Sequence, residues 1–170
     1  MKKRFTLSIF TENIVGILNQ VTIIFTRRHI NIESIVVSES EIDGIHRYTL
    51  VVCETEDIVR KAVLQLEKQI DIIKALYHED DDVIFQEIAL FKLAGDVLAK
   101  NGEAEKIVRK HFARIISVEK DFIVLEKTGH KEETQKLFNE LKPYGVLEFV
   151  RSGRIAITKP MKTLETIMKN

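Results

Sequence analysis

The chain has 170 residues, of which 45% are hydrophobic and 31% are charged, enough for one medium domain or two small ones with their own cores. Lys plus Arg and Asp plus Glu each total 26, which argues against nucleic-acid or membrane binding through long-range charge. Residues 1–10 resemble no secretion signal, and no stretch reaches the roughly 18 to 20 apolar residues of a membrane span. The single cysteine, Cys53, lies in an apolar run and is expected to be a buried, inert thiol. We expect a cytoplasmic protein.

Hydrophobic periodicity divides the first half of the chain into six elements. Phe5, Leu7 and Ile9 alternate with polar residues, which predicts a strand with one buried face. Beyond residue 13 the apolar residues recur every three or four positions, which is the pattern of an amphipathic helix. The predicted elements are a strand over 4–10, a helix over 14–29, a hairpin of strands 31–40 and 45–53, a helix over 57–70 and a strand over 70–78.

The acidic run 79–82 contains no apolar residue that a core would use, so we predict a solvated linker there. The second half repeats the order of the first. Its predicted elements are a strand over 83–93, a helix over 104–112, strands over 113–118 and 122–127, a helix over 131–141 and a strand over 146–151.

This repeated order predicts an α+β protein with two ferredoxin-like βαββαβ domains in tandem. The predicted boundaries are 1–78 for the first domain, 79–82 for the linker, 83–160 for the second domain and 161–170 for a tail. In such a domain both helices cover one face of the sheet, and the other face still needs a partner. We therefore expect pairing between domains or between chains, and predict a homodimer.

No catalytic set is found in the sequence. The five histidines are scattered without the spacing of a metal site, and no Gly-rich loop with a lysine indicates a phosphate cradle. Neither a nucleophile with its base nor an acid–base pair can be named, which argues against an enzyme.

Residues 12–18 connect the first predicted strand to the first predicted helix and are the most informative segment. Gly16 falls in the opening turn of that helix, where glycine is unfavourable and needs a reason. One reason is a ligand that approaches the helix N-terminus closely, such as an α-amino acid whose polar groups meet free N–H groups and Asn13. The alternative, which the residues alone favour, is that Asn13 caps the helix and Gly16 permits tight packing. Asn31 is similarly either a turn former or a ligand contact.

Several of these residues form a pattern that resembles a known family. Residues 12–18 read E-N-x-x-G-x-L, and residues 28–34 read R-x-x-N-I-E-S. Together they resemble the amino-terminal ACT domain of the acetolactate synthase small subunit. In the second half, Val83, Glu87 and residues 88–92 resemble a strand of that family, and residues 148–153 resemble its terminal E-x-x-R-[ST]-G element.

The resemblance implies a non-catalytic regulatory subunit with a large catalytic partner. Such subunits raise the activity of the large subunit and confer feedback inhibition by a branched-chain amino acid, usually valine. Thiamine diphosphate, Mg²⁺ and FAD are expected on the partner, and no cofactor is expected on this chain. The alternative is a free-standing ACT protein that senses an amino acid and regulates another protein or transcription.

Carried over by position, the resemblance also implies the effector-binding residues. They are Asn13, Ile14, Val15, Gly16, Ile17, Leu18, Asn31 and Ile32. The last two match positions that contact the effector across an ACT dimer interface. Where the family often has a small residue, this chain has Ile17, whose bulk is expected to narrow the effector pocket or to weaken effector affinity.

Overall fold

The computed structural model describes residues 1–100, 102–160 and 166, so all of the predicted tail except Thr166 lies outside the described residues. The chain forms two compact units. The first contains Met1–Phe85 together with the segment that begins at Arg154, and the second contains Gln86–Gly153. Among the described residues no helix is long and apolar enough to cross a membrane.

The first unit is a four-stranded antiparallel sheet with two helices on one face. Its elements are β1 (Lys3–Glu12), α1 (Ile17–Arg27), β2 (Ile32–Glu39), β3 (Ile45–Glu54), α2 (Glu56–Leu66) and β4 (Ile72–Glu79). The strands lie in the order β2-β3-β1-β4. Phe5, Leu7 and Ile9 of β1 are fully buried beneath the helices, in a core that includes Val21 of α1 and Leu66 of α2. The alternation in the sequence therefore predicted the buried face of this strand.

The second unit repeats the same topology. Its elements are β5 (Val83–Ala94), α3 (Val97–Lys100), α4 (Gly102–Lys110), β6 (Arg114–Val118), β7 (Phe122–Gly129), α5 (Lys131–Leu141) and β8 (Val146–Arg151). The strand order β6-β7-β5-β8 matches that of the first unit position by position. Its core is formed by residues such as Phe91, Leu125 and Leu137. The predicted pair of tandem ferredoxin-like domains is confirmed.

The compact units differ from the predicted boundaries at both ends of the second domain. The predicted linker 79–82 is ordered: Glu79 ends β4, and Asp80–Asp82 form one turn of 3-10 helix. A short strand that was not predicted, β9 (Ile155–Thr158), pairs with β5. Residues 154–160 belong to the first unit because buried Arg154 is bonded there, to Thr6 and Asp80.

The prediction that Cys53 is buried is wrong, because its thiol is exposed. Successive residues of a strand point to opposite faces. In β3 the fully buried Val52 occupies the core face, so Cys53 lies on the other face near the end of the strand.

Candidate functional site

The connection between β1 and α1 adopts a backbone conformation that depends on Gly16. This residue is the N-cap of α1 with φ 89° and ψ −10°, in the left-handed region, where a side chain is disfavoured. A Cβ atom placed on Gly16 would meet nothing within 4 Å. The glycine is therefore required by the backbone turn and not by tight packing. The turn also moves the start of α1 to Ile17, three residues later than predicted.

Asn13 does not cap the helix. No side chain caps α1, so the capping alternative is wrong, and the exposed Asn13 side chain remains available for a ligand. The backbone of the loop is held from both sides: the Asn13 N–H donates to the Gly44 carbonyl, and the Glu12 N–H donates to the Asp71 carbonyl, each at 3.1 Å. These bonds fix the position of the loop at the end of β1.

The apolar residues of the loop divide between surface and core. Ile14, Val15 and Leu18 are exposed, and Val15 is fully so. Ile17 is only 4% exposed and belongs to the core beneath the sheet. α1 begins at Ile17, directly after the Gly16 turn, so this side chain points into the core and not onto the surface of the loop.

The N-terminus of α1 presents an open positive end beside these exposed side chains. The first turn of α1 contains no acidic residue that would neutralise the helix dipole. Within residues 1–100, 102–160 and 166, the N–H groups of Val15 and Gly16 donate no hydrogen bond. Free N–H groups at a helix N-terminus are well placed to bind a carboxylate.

Asn31 and Ile32 lie at the other end of α1. Asn31 is exposed directly before β2, and Ile32 is half-buried against the core. The 11 residues of α1 separate the two groups, a length of roughly 16 Å at 1.5 Å per residue. A single chain therefore does not bring the predicted site residues together. β2 is an edge strand of its sheet, so Asn31 lies beside a free strand edge.

A polar cluster on the sheet face away from the helices was missed by the sequence analysis. It consists of Thr6, Ser8, Arg47, His78 and Arg154, all in the first unit. Burial lowers the pKa of Arg47, and it also lowers the pKa of His78, with nearby Arg47 acting in the same direction and Asp82 opposing it. The alternation of polar residues in β1 signalled this face, but nothing local pointed to Arg154.

Among the described residues, no group of three His, Cys, Asp or Glu side chains is arranged to hold a metal ion. The β1–α1 loop instead offers backbone donors, one amide side chain and an exposed apolar surface.

Family comparisons cover most of the chain. Residues 7–74 match the model of the AHAS small subunit-like ACT domain, and residues 86–160 match the model of the small subunit of acetolactate synthase. The acetolactate synthase small subunit of Bacillus subtilis is 36% identical over 160 residues, which cover 94% of this chain and 91% of that protein. The corresponding protein of Mycolicibacterium smegmatis is 31% identical, with 91% and 90% covered.

A solved structure agrees with these matches. The acetolactate synthase small subunit of Thermotoga maritima has a TM-score of 0.83 and 26% identity, covering 92% of this chain and 98% of that one. Both halves of the chain thus match one family in sequence and fold. The chain belongs to the acetolactate synthase small-subunit family.

Proposed function

We propose that this chain binds the large catalytic subunit of acetolactate synthase, raises its activity and makes it sensitive to feedback inhibition by valine or another branched-chain amino acid. Matches over both halves of the chain support this partner. In this proposal the chemistry belongs to the large subunit, with its thiamine diphosphate, Mg²⁺ and FAD. This chain acts as a regulatory subunit and is located in the cytoplasm.

The observation that carries the effector site is the open end of α1 beside exposed apolar side chains. The carboxylate of an α-amino acid fits the free N–H groups at Val15 and Gly16. The amide oxygen of Asn13 is an acceptor for its ammonium group. A branched aliphatic side chain fits the exposed apolar surface of Ile14 and Leu18.

Asn31 and Ile32 enter the same site only from a second copy. The two groups lie at opposite ends of α1, so one ligand that contacts both must lie between two chains. The free edge of β2 supports such a dimer, because two copies of one edge strand pair around a twofold axis. Ile35 and Val37, which are exposed on β2, are apolar surface that this pairing would cover.

The experiment is acetolactate formation by the cognate large subunit, measured with and without this chain across a valine titration. The expected result is stimulation, followed by loss of activity as valine rises. Stimulation that no branched-chain amino acid reverses would overturn the effector part of the proposal. An unchanged rate in every mixture would overturn the partner and favour the free-standing sensor. Light scattering checks the dimer, and a monomer at micromolar concentration would contradict it.

A further inference from the structure

Arg154 is the most deeply buried cationic side chain of the first unit among the described residues, with 3% of its surface exposed. Its Nη1 donates to Asp80 Oδ1 at 2.6 Å and to Thr6 Oγ1 at 2.9 Å. The guanidinium also lies over the Phe85 ring, 3.6 Å from the centroid. A buried charge is tolerated only when it is compensated in this way. These buried contacts are therefore centred on the Arg154 guanidinium.

Arg154 begins a segment that we call the C-terminal strap, residues 154–159. The strap has further attachments in the first unit, and the Lys159 side chain donates to the Asp81 carbonyl. Arg47 Nη2 donates to the Ala156 carbonyl at 2.6 Å and to Ser8 Oγ at 3.2 Å. The Lys159 N–H donates to the Asp82 carbonyl at 3.0 Å. The strap follows Gly153, the last residue of the second unit, directly along the chain.

β1 connects the strap to the proposed effector loop. Thr6 and Ser8, which lie under the strap, are residues of β1, and the loop begins where β1 ends at Glu12. β1 pairs with both β3 and β4 and is a central strand of its sheet. A change in how the strap is seated therefore acts on the strand that carries the loop.

We infer that Arg154 is a positioning residue that couples effector binding to the C-terminal strap, and through the strap to the chain of the second unit. This inference rests on the proposed function. The contacts of Arg154 order β1 and the loop before the effector binds. Binding then costs less conformational entropy, and the affinity is higher. Coupling between two equilibria is reciprocal. Effector binding must therefore favour the seated strap over the unseated one by the same factor by which the seated strap raises the affinity for the effector.

The first test is calorimetric titration of the full chain with valine. Arg154→Met is expected to weaken the affinity by about fivefold or more, the lower end of typical coupling. Arg154→Lys, which keeps the charge but loses the planar stacking on Phe85, is expected to lie between Arg154→Met and the parent chain. Arg60→Met is the matched control, because Arg60 is exposed on α2 and pairs with Asp57 one turn away on the same helix.

Parent-like affinity in a folded Arg154→Met chain would overturn the coupling. If this variant does not fold, Asp80→Asn replaces it, since Asp80 is partly exposed and its loss leaves Arg154 on Phe85. The same direction with a smaller change is then expected, and an unchanged affinity would again overturn the inference.

The second test, amide hydrogen exchange without any effector, separates the coupling from the proposed function. Arg154→Met is expected to speed exchange in 155–158 and also in 12–18, while Arg60→Met changes neither segment. Faster exchange confined to 155–158 would show that the strap and the loop are uncoupled. If valine fails to bind the parent chain, the proposed effector is wrong, and the exchange data still decide the coupling.

Discussion

The two units share one topology but treat the sheet face away from their helices differently. In the first unit this face is buried and polar, with Thr6, Ser8 and Thr49 almost without exposed surface. In the second unit the equivalent face is open and holds a shallow groove of about 230 Å³, lined by Leu90, Lys92, Phe122, Val124, Glu148 and Val150. The repeated element order therefore determines how helices and sheet are layered in each unit. It does not determine whether the second face of the sheet is covered or open.

The two units have the same corner between their first long helix and the strand that follows it, but different loops before that helix. His29 after α1 and Phe112 after α4 both have positive φ, 55° and 53°, and each is followed by a strand at the sheet edge. The helix-to-strand corners are thus equivalent, whereas the strand-to-helix loops differ. Gly16 faces open space, while a Cβ on Gly95 would lie 3.0 Å from the Lys120 carbonyl. Among the described residues, the glycine of the first loop therefore has open surroundings and that of the second does not.

The largest effect is expected from Gly16→Asp. An aspartate at φ 89° is strained, and its carboxylate would occupy the place proposed for that of the effector. Effector binding is expected to fall by about 100-fold or more, the equivalent of roughly 3 kcal/mol, with stimulation of the large subunit retained. Gly145→Asp is the control, because Gly145 has a similar φ of 83° and open surroundings in the second unit. Unchanged inhibition in Gly16→Asp would move the site elsewhere.

A matched pair of valines tests the comparison of the two faces. Val51 is 3% exposed on the covered face of the first unit, and Val150 is 53% exposed on the open face of the second. Val51→Ala is expected to lower the free energy of unfolding by about 1.5–3 kcal/mol through lost burial and a cavity. Val150→Ala is expected to change it by less than about 0.5 kcal/mol. Urea unfolding measures both, and equal losses would contradict the contrast.

A smaller effect is expected at the edge strands. Asn31→Ala removes one polar contact of the proposed two-chain site and is expected to weaken valine binding by about 2- to 10-fold. Arg114→Ala, which alters the edge strand β6 of the second unit, is the control and should leave valine binding unchanged. A calorimetric dissociation constant that Asn31→Ala does not alter would remove Asn31 from the site.

The smallest expected effect is a pH dependence of the covered face. Because burial and Arg47 lower the pKa of His78 in the folded chain, the unfolded chain binds more protons below about pH 6.5. Stability is therefore fully present above that pH and decreases as the pH falls towards the lowered pKa. His78→Gln should flatten this dependence in thermal unfolding between pH 7 and 5. An identical slope in the variant would assign the dependence to other groups.

Much of the fold was predictable because its signals are local. The alternation of Phe5, Leu7 and Ile9 named a buried strand face, and the predicted helix 131–141 has the same bounds as α5. The start of α1 was not predictable from periodicity, since the apolar pattern continues through Ile14 while Gly16 turns the backbone. Cys53 is exposed near the end of β3 although Val51 on the same face is buried, so its apolar neighbours in the sequence did not predict its surroundings.

The candidate site was predicted only in part. The motif around Gly16 located the loop, and the structure shows its open helix end and the exposed Ile14, Val15 and Leu18. The inward position of Ile17 depends on where the helix begins, which is a property of the folded loop. The distance between this loop and Asn31 likewise depends on the length of α1.

The sequence by itself determined the repeated βαββαβ order, the two cores and the family. Hydrophobic periodicity and short motifs depend only on residues that are close together in the sequence. The tertiary structure alone decided where residues 154–159 lie. Arg154 meets Thr6 across 148 residues of sequence, and no local pattern specifies a partner at that separation. Such a contact arises only when the folded sheet presents a polar face that a buried guanidinium can satisfy.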